Sequence, residues 1–314
     1  MATIKDVANR ANVSKMTVSR VINHPELVTD ELKELVHRAM AELDYKPNVA
    51  AKALAQNRTL VVKVLILEEM DVTEPYYMNL IAGIAKELDK YQYALQLVTE
   101  NTVDFGGSDG YIITGMKEED YAWIKEMTMP VIVFGENQHG VPFVDSDNRK
   151  GAARATRHAI EVGYEHIIFV GIDVPEQFER SREAGYIEMM TQHGKPQTLY
   201  RIKNSSSRAS QLVHEIDLQP NTCFVCASDR IGIGIELGLQ GLGHRVPEDY
   251  GVIGFDGVFL DQIAHPQLTT MKQDIVGMGS KCVEQLMKLI DGKSLKKKSC
   301  FFDATLINRE STRN

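Results

Sequence analysis

Cysteine is scarce in this 314-residue sequence, which has only Cys223, Cys226, Cys282 and Cys300. One pair is spaced CxxC within TCFVCASD, but zinc would need a second pair of ligands at suitable spacing, and none lies nearby. The pair falls in an expected strand, where positions three apart face opposite sides, so buried thiols are expected and no metal or other cofactor. Long apolar runs are missing as well. Nothing approaches the roughly 18 to 20 residues of a membrane span, and the start of the chain lacks the charged-then-apolar pattern of an export signal. These absences argue against membrane insertion and for a cytoplasmic location. No HExxH and no Ser/His/Asp order stands out among the 9 histidines, so no catalytic residues and no enzyme activity are expected. Gly232, Gly234 and Gly238 are not spaced as GxGxxG, and Asp229 and Arg230 precede them. They read as a helix packing closely on its sheet rather than as a dinucleotide site.

Net charge is −8, an unpromising total for a nucleic-acid partner until its distribution is considered. Before Pro25 stand Lys5, Arg10, Lys15 and Arg20 against Asp6 alone, and Lys46, Lys52 and Arg58 follow with no acid between them. A basic head on an acidic body confines non-specific contact with DNA to one region. Lys293, Lys296, Lys297 and Lys298 read as a solvated turn before a late strand.

The stretch TIKDVANRANVSKMTVSRVIN predicts two short helices around a tight turn. Ile4, Val7 and Ala8, then Val13, Val18, Val21 and Ile22, give each helix one apolar stripe. Asn12 tolerates the left-handed backbone a sharp turn demands, and Ser14 is placed to cap a second helix beginning near Lys15. That helix turns Lys15, Met16, Thr17, Ser19 and Arg20 outward, the arrangement of a recognition helix lying in a major groove. The plainer reading, a small helical domain with polar faces, fits the same periodicity. A third helix is expected from Thr29 to Leu43. After Pro47, Asn48 can cap a short alanine-rich helix carrying Lys52 and one large apolar residue, Leu54. Such a helix is marginal alone, and Leu54 suggests a wedge for minor-groove steps, against the alternative of a plain linker.

From Leu60 onward, continuous apolar strands alternate with amphipathic helices in two tandem series, the second starting near Asn148. This pattern predicts parallel sheets covered on both faces, in two lobes whose strand ends form a cleft.

These segments together resemble the LacI/GalR family of transcription regulators over essentially the whole chain. The resemblance is carried by the opening helical pair, AMAELDYKPNVAAKALA, PYYMNLIAGI, GYEHIIFVG, SREAGY, ASDRIGIG, VPEDYGVIGFD, HPQLTTMKQD and NREST. It implies an α/β protein with a three-helix helix-turn-helix head and hinge helix, then two doubly wound parallel-sheet lobes of periplasmic-binding-protein type. The expected domains are a DNA-binding head over 1–45, a hinge over 46–59, and an effector-binding and dimerisation body over 60–314. Within the body, the N-lobe is expected at about 60–147 and 270–280 and the C-lobe at about 148–269 and 281–314. The resemblance implies DNA contacts from Thr3, Ser14, Lys15, Met16, Thr17, Ser19, Arg20, Asn23, Tyr45, Asn48 and Ala51, with Leu54 intercalating. In the cleft it implies that Arg182 and Asp256 hold ligand polar groups, a fork and a carboxylate suited to several hydroxyls. Tyr76, Tyr77, Phe134, Ser228 and Gln273 complete that set. Arg182 reads alternatively as a lobe-closing ion pair.

The implied partners are palindromic operator DNA, a second copy of the chain, and a small polar effector, a sugar or sugar phosphate. The effector is expected to act as an inducer, with a co-repressor or a protein co-effector as alternatives. A two-lobed solute-binding protein without DNA function is a distant rival. The sequence departs from the family pattern at Asn12, where Gly is usual, and at Ser228, where sugar-binding relatives often carry Asn. The chain also lacks a leucine-heptad tail, so a dimer is expected. Only ENTVDFGGSD follows Thr99 before the next strand, too short for a helical crossover; a bare loop or a covering partner is expected there.

Overall fold

The computed structural model describes residues 2–23, 27–45, 53, 58–68, 75–99 and 107–313. It contains two compact units, 1–60 and 61–314. In the first, α1 (Ile4–Arg10) opens with a capping box: the Thr3 hydroxyl accepts from the Asp6 amide, and the Asp6 carboxylate accepts from the Thr3 amide at 2.8 Å. These bonds satisfy donors that every helix start leaves orphaned. Asn12 takes up φ 52°, the left-handed turn geometry. Ser14 then caps α2 (Lys15–Asn23), its Oγ accepting from the Thr17 amide at 3.0 Å. The third helix, α3 (Asp30–Glu42), closes a core of Val7, Ala8, Ala11, Val18, Val21, Val36 and Ala39. Val7, Val18 and Val36 are fully buried, each worth about 1.5–3 kcal/mol of transfer free energy.

The second unit holds two six-stranded sheets. The first contains β1 (Val61–Ile66), β2 (Ala94–Thr99), β3 (Gly110–Thr114), β4 (Val131–Phe134), β5 (Phe143–Ser146) and β11 (Ser299–Phe302), in the order β11-β5-β4-β3-β1-β2. All of its pairings are parallel. The second contains β6 (His166–Ile172), β7 (Thr198–Ile202), β8 (Thr222–Cys226), β9 (Tyr250–Asp256), β10 (Thr269–Lys272) and β12 (Thr305–Ile307), in the order β12-β10-β9-β8-β6-β7. There only β12 runs antiparallel to its neighbour.

Central strands β3, β8 and β9 are buried along their whole length, because helices cover both faces of each doubly wound sheet. Those helices are α4 (Tyr76–Tyr91), α5 (Asp120–Glu126), α6 (Asn148–Glu161), α7 (Gln177–Gln192), α8 (Ser206–Glu215), α9 (Asp229–Gly241), α10 (Leu260–Ile263) and α11 (Ile275–Ile290). Among the described residues, no helix is long and apolar enough to cross a membrane.

The chain crosses between lobes three times, at Asp147, at Gln273–Asp274 and at Asp303–Ala304. This differs from the expected division. Residues 269–272 belong to the C-lobe sheet as β10, whereas α11 packs on α4 in the N-lobe and β11 extends the N-lobe sheet. Apolar periodicity identifies a strand or helix but not the sheet it joins, so the lobe membership of these late segments was not legible.

The expected bare crossover between β2 and β3 falls on residues 100–106, outside the described residues; within β2, Ala94, Gln96, Leu97 and Thr99 are exposed. The glycines of α9 also serve differently from expectation. Gly232 faces the sheet at Leu268 and Gly254, but Gly234 lies against the Ser206 carbonyl and Gly238 against Ser210, which lets α8 and α9 approach closely. Cys223, Cys226 and Cys282 are buried free thiols, with burial pushing each up, and no cluster of metal ligands occurs among the described residues.

Candidate functional site

Two sites follow from this architecture, one on each unit. On the head, Ser14, Lys15, Met16 and Arg20 are exposed and Thr17 and Ser19 are half-buried. Met16, 70% exposed, is a large apolar side chain held in solvent at the start of a helix. Arg20 reaches back along the same face to the Met16 sulfur at 4.0 Å, and Ser14 and Thr17 share a hydroxyl contact of 2.8 Å. The face thus combines a helix N-terminus, where amides and macrodipole favour phosphate, with one lysine, one arginine and hydroxyls suited to base edges.

Thr3 is exposed and engaged in the cap of α1, and Tyr45 packs against the head core. Asn23 ends α2. Asn48, Ala51 and Leu54, together with the expected hinge helix, lie outside the described residues.

The second site lies where the strands of both lobes end. Asp145 and Ser146 close β5, Phe134 closes β4 with Glu136 just beyond, Asp256 closes β9, Ala227 follows β8, and Gln273 stands on a lobe crossing. The carboxyl ends of parallel strands are where doubly wound folds place their ligand groups. Arg182 on α7 joins them.

The Arg182 Nε donates to Asn148 Oδ1 at 2.9 Å, Nη1 donates to the Ala227 carbonyl, and Nη2 lies 3.8 Å from Asp256 Oδ1. Its guanidinium sits 3.9 Å from the Phe255 ring centroid and 5.2 Å from that of Phe178. Gln273 Nε2 donates to Asp256 Oδ1 at 2.7 Å, while its Oε1 accepts from Ser146 Oγ at 2.5 Å. Asn148 Nδ2 donates to Asp145 Oδ2 at 3.1 Å, and the Glu136 amide donates to the same oxygen at 2.8 Å. A network of hydrogen bonds, closed by the Arg182–Asp256 ion pair, therefore runs from the N-lobe carboxylates through Asn148 and Arg182 to Asp256, and back through Gln273 to Ser146.

Aromatic rings flank it. Tyr76 lies 6.2 Å from Phe134 and 5.6 Å from Tyr77, edge to face in both cases. The Tyr77 hydroxyl donates to Glu68. Burial raises the Tyr76 phenol, and the charges of Asp145 and Asp256 raise it further. The carboxyls respond in the same way. Burial, then the charge of Asp145, pushes Glu136 up to about 7, and burial raises Asp145 itself. Burial pushes Glu179 up to about 7 as well. Asp229 is raised well above the usual range by burial and by Asp256, although Thr270 Oγ1 at 2.5 Å and the Gly257 amide at 2.8 Å donate to it.

Of the expected effector residues, Arg182, Asp256 and Gln273 meet in one network, and Tyr76, Tyr77 and Phe134 form one aromatic group. Ser228 is committed elsewhere: it caps α9 by accepting from the Ile231 amide at 3.2 Å and donates to Asn204 at 2.7 Å. Sequence reasoning missed Glu136, Asp145, Ser146, Asn148 and Glu179. Asp145 to Asn148 read DSDN, an acid-rich turn at a strand end before a helix, and that position was the available signal. Glu179 lies in the first turn of α7, which begins at Gln177, one turn before Arg182 on the same face.

A chain combining a helix-turn-helix unit with two parallel-sheet lobes whose strand ends meet in a polar network has the build of a DNA-binding transcription regulator. Residues 3–48 match the model of bacterial regulatory proteins of the lacI family, and residues 156–312 match that of a periplasmic binding protein-like domain. The chain belongs to the LacI family. It is 54% identical over 315 residues to the uncharacterized HTH-type transcriptional regulator YvdE of Bacillus subtilis (strain 168), covering 99% of this chain and 100% of the relative. It is 32% identical over 338 residues to the HTH-type transcriptional regulator RegA of Clostridium saccharobutylicum, again covering 99% and 100%. Among solved structures, the complex of the transcriptional regulator CelR with cellobiose matches with a TM-score of 0.72 and 25% identity over 99% of this chain and 100% of that one. The lac repressor dimer bound to operator and the anti-inducer ONPF shares the fold, with a TM-score of 0.76 and 24% identity over 99% of each chain.

Proposed function

We propose that this regulator is a dimeric repressor whose affinity for a palindromic operator is set by a small sugar bound between the lobes of its body. The observation that carries the reading is the network of Arg182, Asn148, Asp256 and Gln273, which joins the facing strand ends of both lobes. A guanidinium fork, two amides and several carboxylates at fixed separation match the alternating donors and acceptors of sugar hydroxyls. Rings such as Tyr76 and Phe134 supply apolar faces. The cellobiose bound to CelR supports the same chemistry.

In this reading residues 1–45 bind DNA through Lys15, Met16, Thr17, Ser19 and Arg20. Residues 46–59 form the hinge that inserts Leu54 into the minor groove, and 60–314 bind effector and pair the subunits. Since the network spans both lobes, a ligand that replaces part of it changes the preferred lobe arrangement. It alters operator affinity only by binding the two arrangements unequally. The repressor works in the cytoplasm and catalyses no reaction.

Fluorescence anisotropy of a labelled palindromic duplex at fixed salt, with and without a panel of sugars, tests this. Specific binding released by one sugar is the expected result. Equal affinity for palindromic and random duplexes, or specific binding that no sugar changes, contradicts it. Fixed salt is required because phosphate contacts make affinity steeply salt-dependent.

A further inference from the structure

The carboxylates of the cleft carry information beyond its capacity to bind a ligand. Glu136, Asp145 and Asp256 lie at the ends of three strands, and Glu179 rests against Gly171 at the end of β6. Asp145, Asp256 and Glu179 are 4%, 7% and 2% exposed, so water screens them poorly. The buried cations among the described residues are Arg182 and Lys63, and Lys63 lies in the first half of β1, away from its carboxyl end. Arg230 stands half-buried in the first turn of α9.

Arg182 has already directed its donors to Asn148, the Ala227 carbonyl and Asp256. A phosphate or carboxylate entering here would meet a fork that is in use and several acids that repel it. A hydroxyl-rich neutral molecule can donate to the carboxylates of Asp145, Glu136 and Asp256 and brings no charge for them to repel.

We infer that the cleft takes an uncharged polyhydroxylated sugar and rejects phosphorylated and acidic sugars. The inference rests on the effector reading above and narrows it. Burial first, and then the charge of the neighbouring Asp145, push the Glu136 carboxyl up to about 7. An added anion would face the same repulsion. At an effective dielectric of about 20 and a separation of about 5 Å, one unscreened like charge weakens binding on the order of 100-fold.

The experiment is thermal shift and titration calorimetry on the full chain with neutral mono- and disaccharides, glucose 6-phosphate and glucuronate. Wild type, Arg182→Met, and the paired variant Glu136→Gln with Asp145→Asn are compared. Neutral sugars should bind to wild type and fail on Arg182→Met, whereas the two anionic sugars should bind at least ~10-fold more weakly than glucose and gain affinity in the paired variant. If an anionic sugar binds wild type as tightly as its neutral parent and depends on Arg182, the charge inference falls and the effector reading stands. Absence of binding by every class, or binding indifferent to both variants, removes the effector reading and this inference with it.

Discussion

Replacing Arg182 by methionine keeps most of the side-chain volume while deleting the charge at the centre of the cleft. In the folded protein Arg182 is 5% exposed, donates to Asn148 and to the Ala227 carbonyl, and lies 3.8 Å from Asp256. Hydrogen bonds from a charged group contribute about 1.5–3 kcal/mol each, and breaking one side of a buried ion pair costs about 3–5 kcal/mol because the other charge is left uncompensated. The terms overlap, so the expected loss is about 3–5 kcal/mol at pH 8, read from urea unfolding monitored by circular dichroism.

The loss should depend on pH with a definite sign. Arg182 is one of the influences that lower Asp145 and Glu136 against the desolvation that raises them. Without it both carboxyls rise further above their unfolded values of about 4. The folded state then holds protons that the unfolded state has released, and stability falls as pH rises. The deficit of the variant should therefore be smaller near pH 4, where the bonds to Asn148 and Ala227 remain its main part, and grow toward pH 8. Adding Asp256→Asn to Arg182→Met should recover a large part of it, since the stranded charge is gone. A loss below about 1 kcal/mol, or one equal at pH 5 and pH 8, would refute the claim that Arg182 compensates buried acids.

Glu136→Gln should act in the opposite direction. Because burial and Asp145 push Glu136 up to about 7, wild-type stability falls as pH rises from about 4.5 to 7, and the amide should remove up to ~3 kcal/mol of that loss. Chemical denaturation at pH 4.5 and 8 should show no gain at the lower pH; a gain of equal size at both would mean that the carboxyl does not titrate in this range. Gly234→Leu should lower the midpoint of thermal unfolding by forcing α9 away from the Ser206 carbonyl of α8, an overpacking penalty of about 1–3 kcal/mol; an unchanged midpoint would show that the helices can separate freely. Leu54→Ala should weaken specific operator binding far more than binding to random duplex at the same salt, whereas equal losses on both would remove the wedge role.

Much of this architecture is readable from local chemistry. Apolar spacing at Val7, Val18, Val21 and Val36 leads to the head core, Asn12 to the left-handed turn, and Ser14 to the cap, because each depends on residues within one or two helical turns. The continuous apolar runs around Ile112, Val225 and Val252 similarly predict strands buried on both faces. What could not be read depends on contacts distant in sequence. The lobe joined by residues 269–302 is fixed by strand pairing between β10 and β9 and between β11 and β5, which no periodicity encodes.

The cleft divides in the same way. The matched motifs give Arg182 and Asp256, yet the partners that position them, Asn148 and Ser146, are ordinary polar residues until the fold brings them across more than thirty positions of chain or more than a hundred. Ser228, where the chain already departs from the usual Asn of the family pattern, has its hydroxyl engaged in capping α9 and with Asn204.

The most direct test of the central claim is the thermodynamic coupling between the two sites. Titration calorimetry would give the affinity of a releasing sugar for the free protein and for the operator-bound protein, and anisotropy would give operator affinity with and without saturating sugar. Linkage requires the two ratios to be equal. Equal ratios of about 5–150-fold are expected, with sugar binding more weakly to the operator complex, and a ratio of one in Arg182→Met. Equal sugar affinity for free and operator-bound protein would contradict the claim, since the cleft would then have no influence on the head.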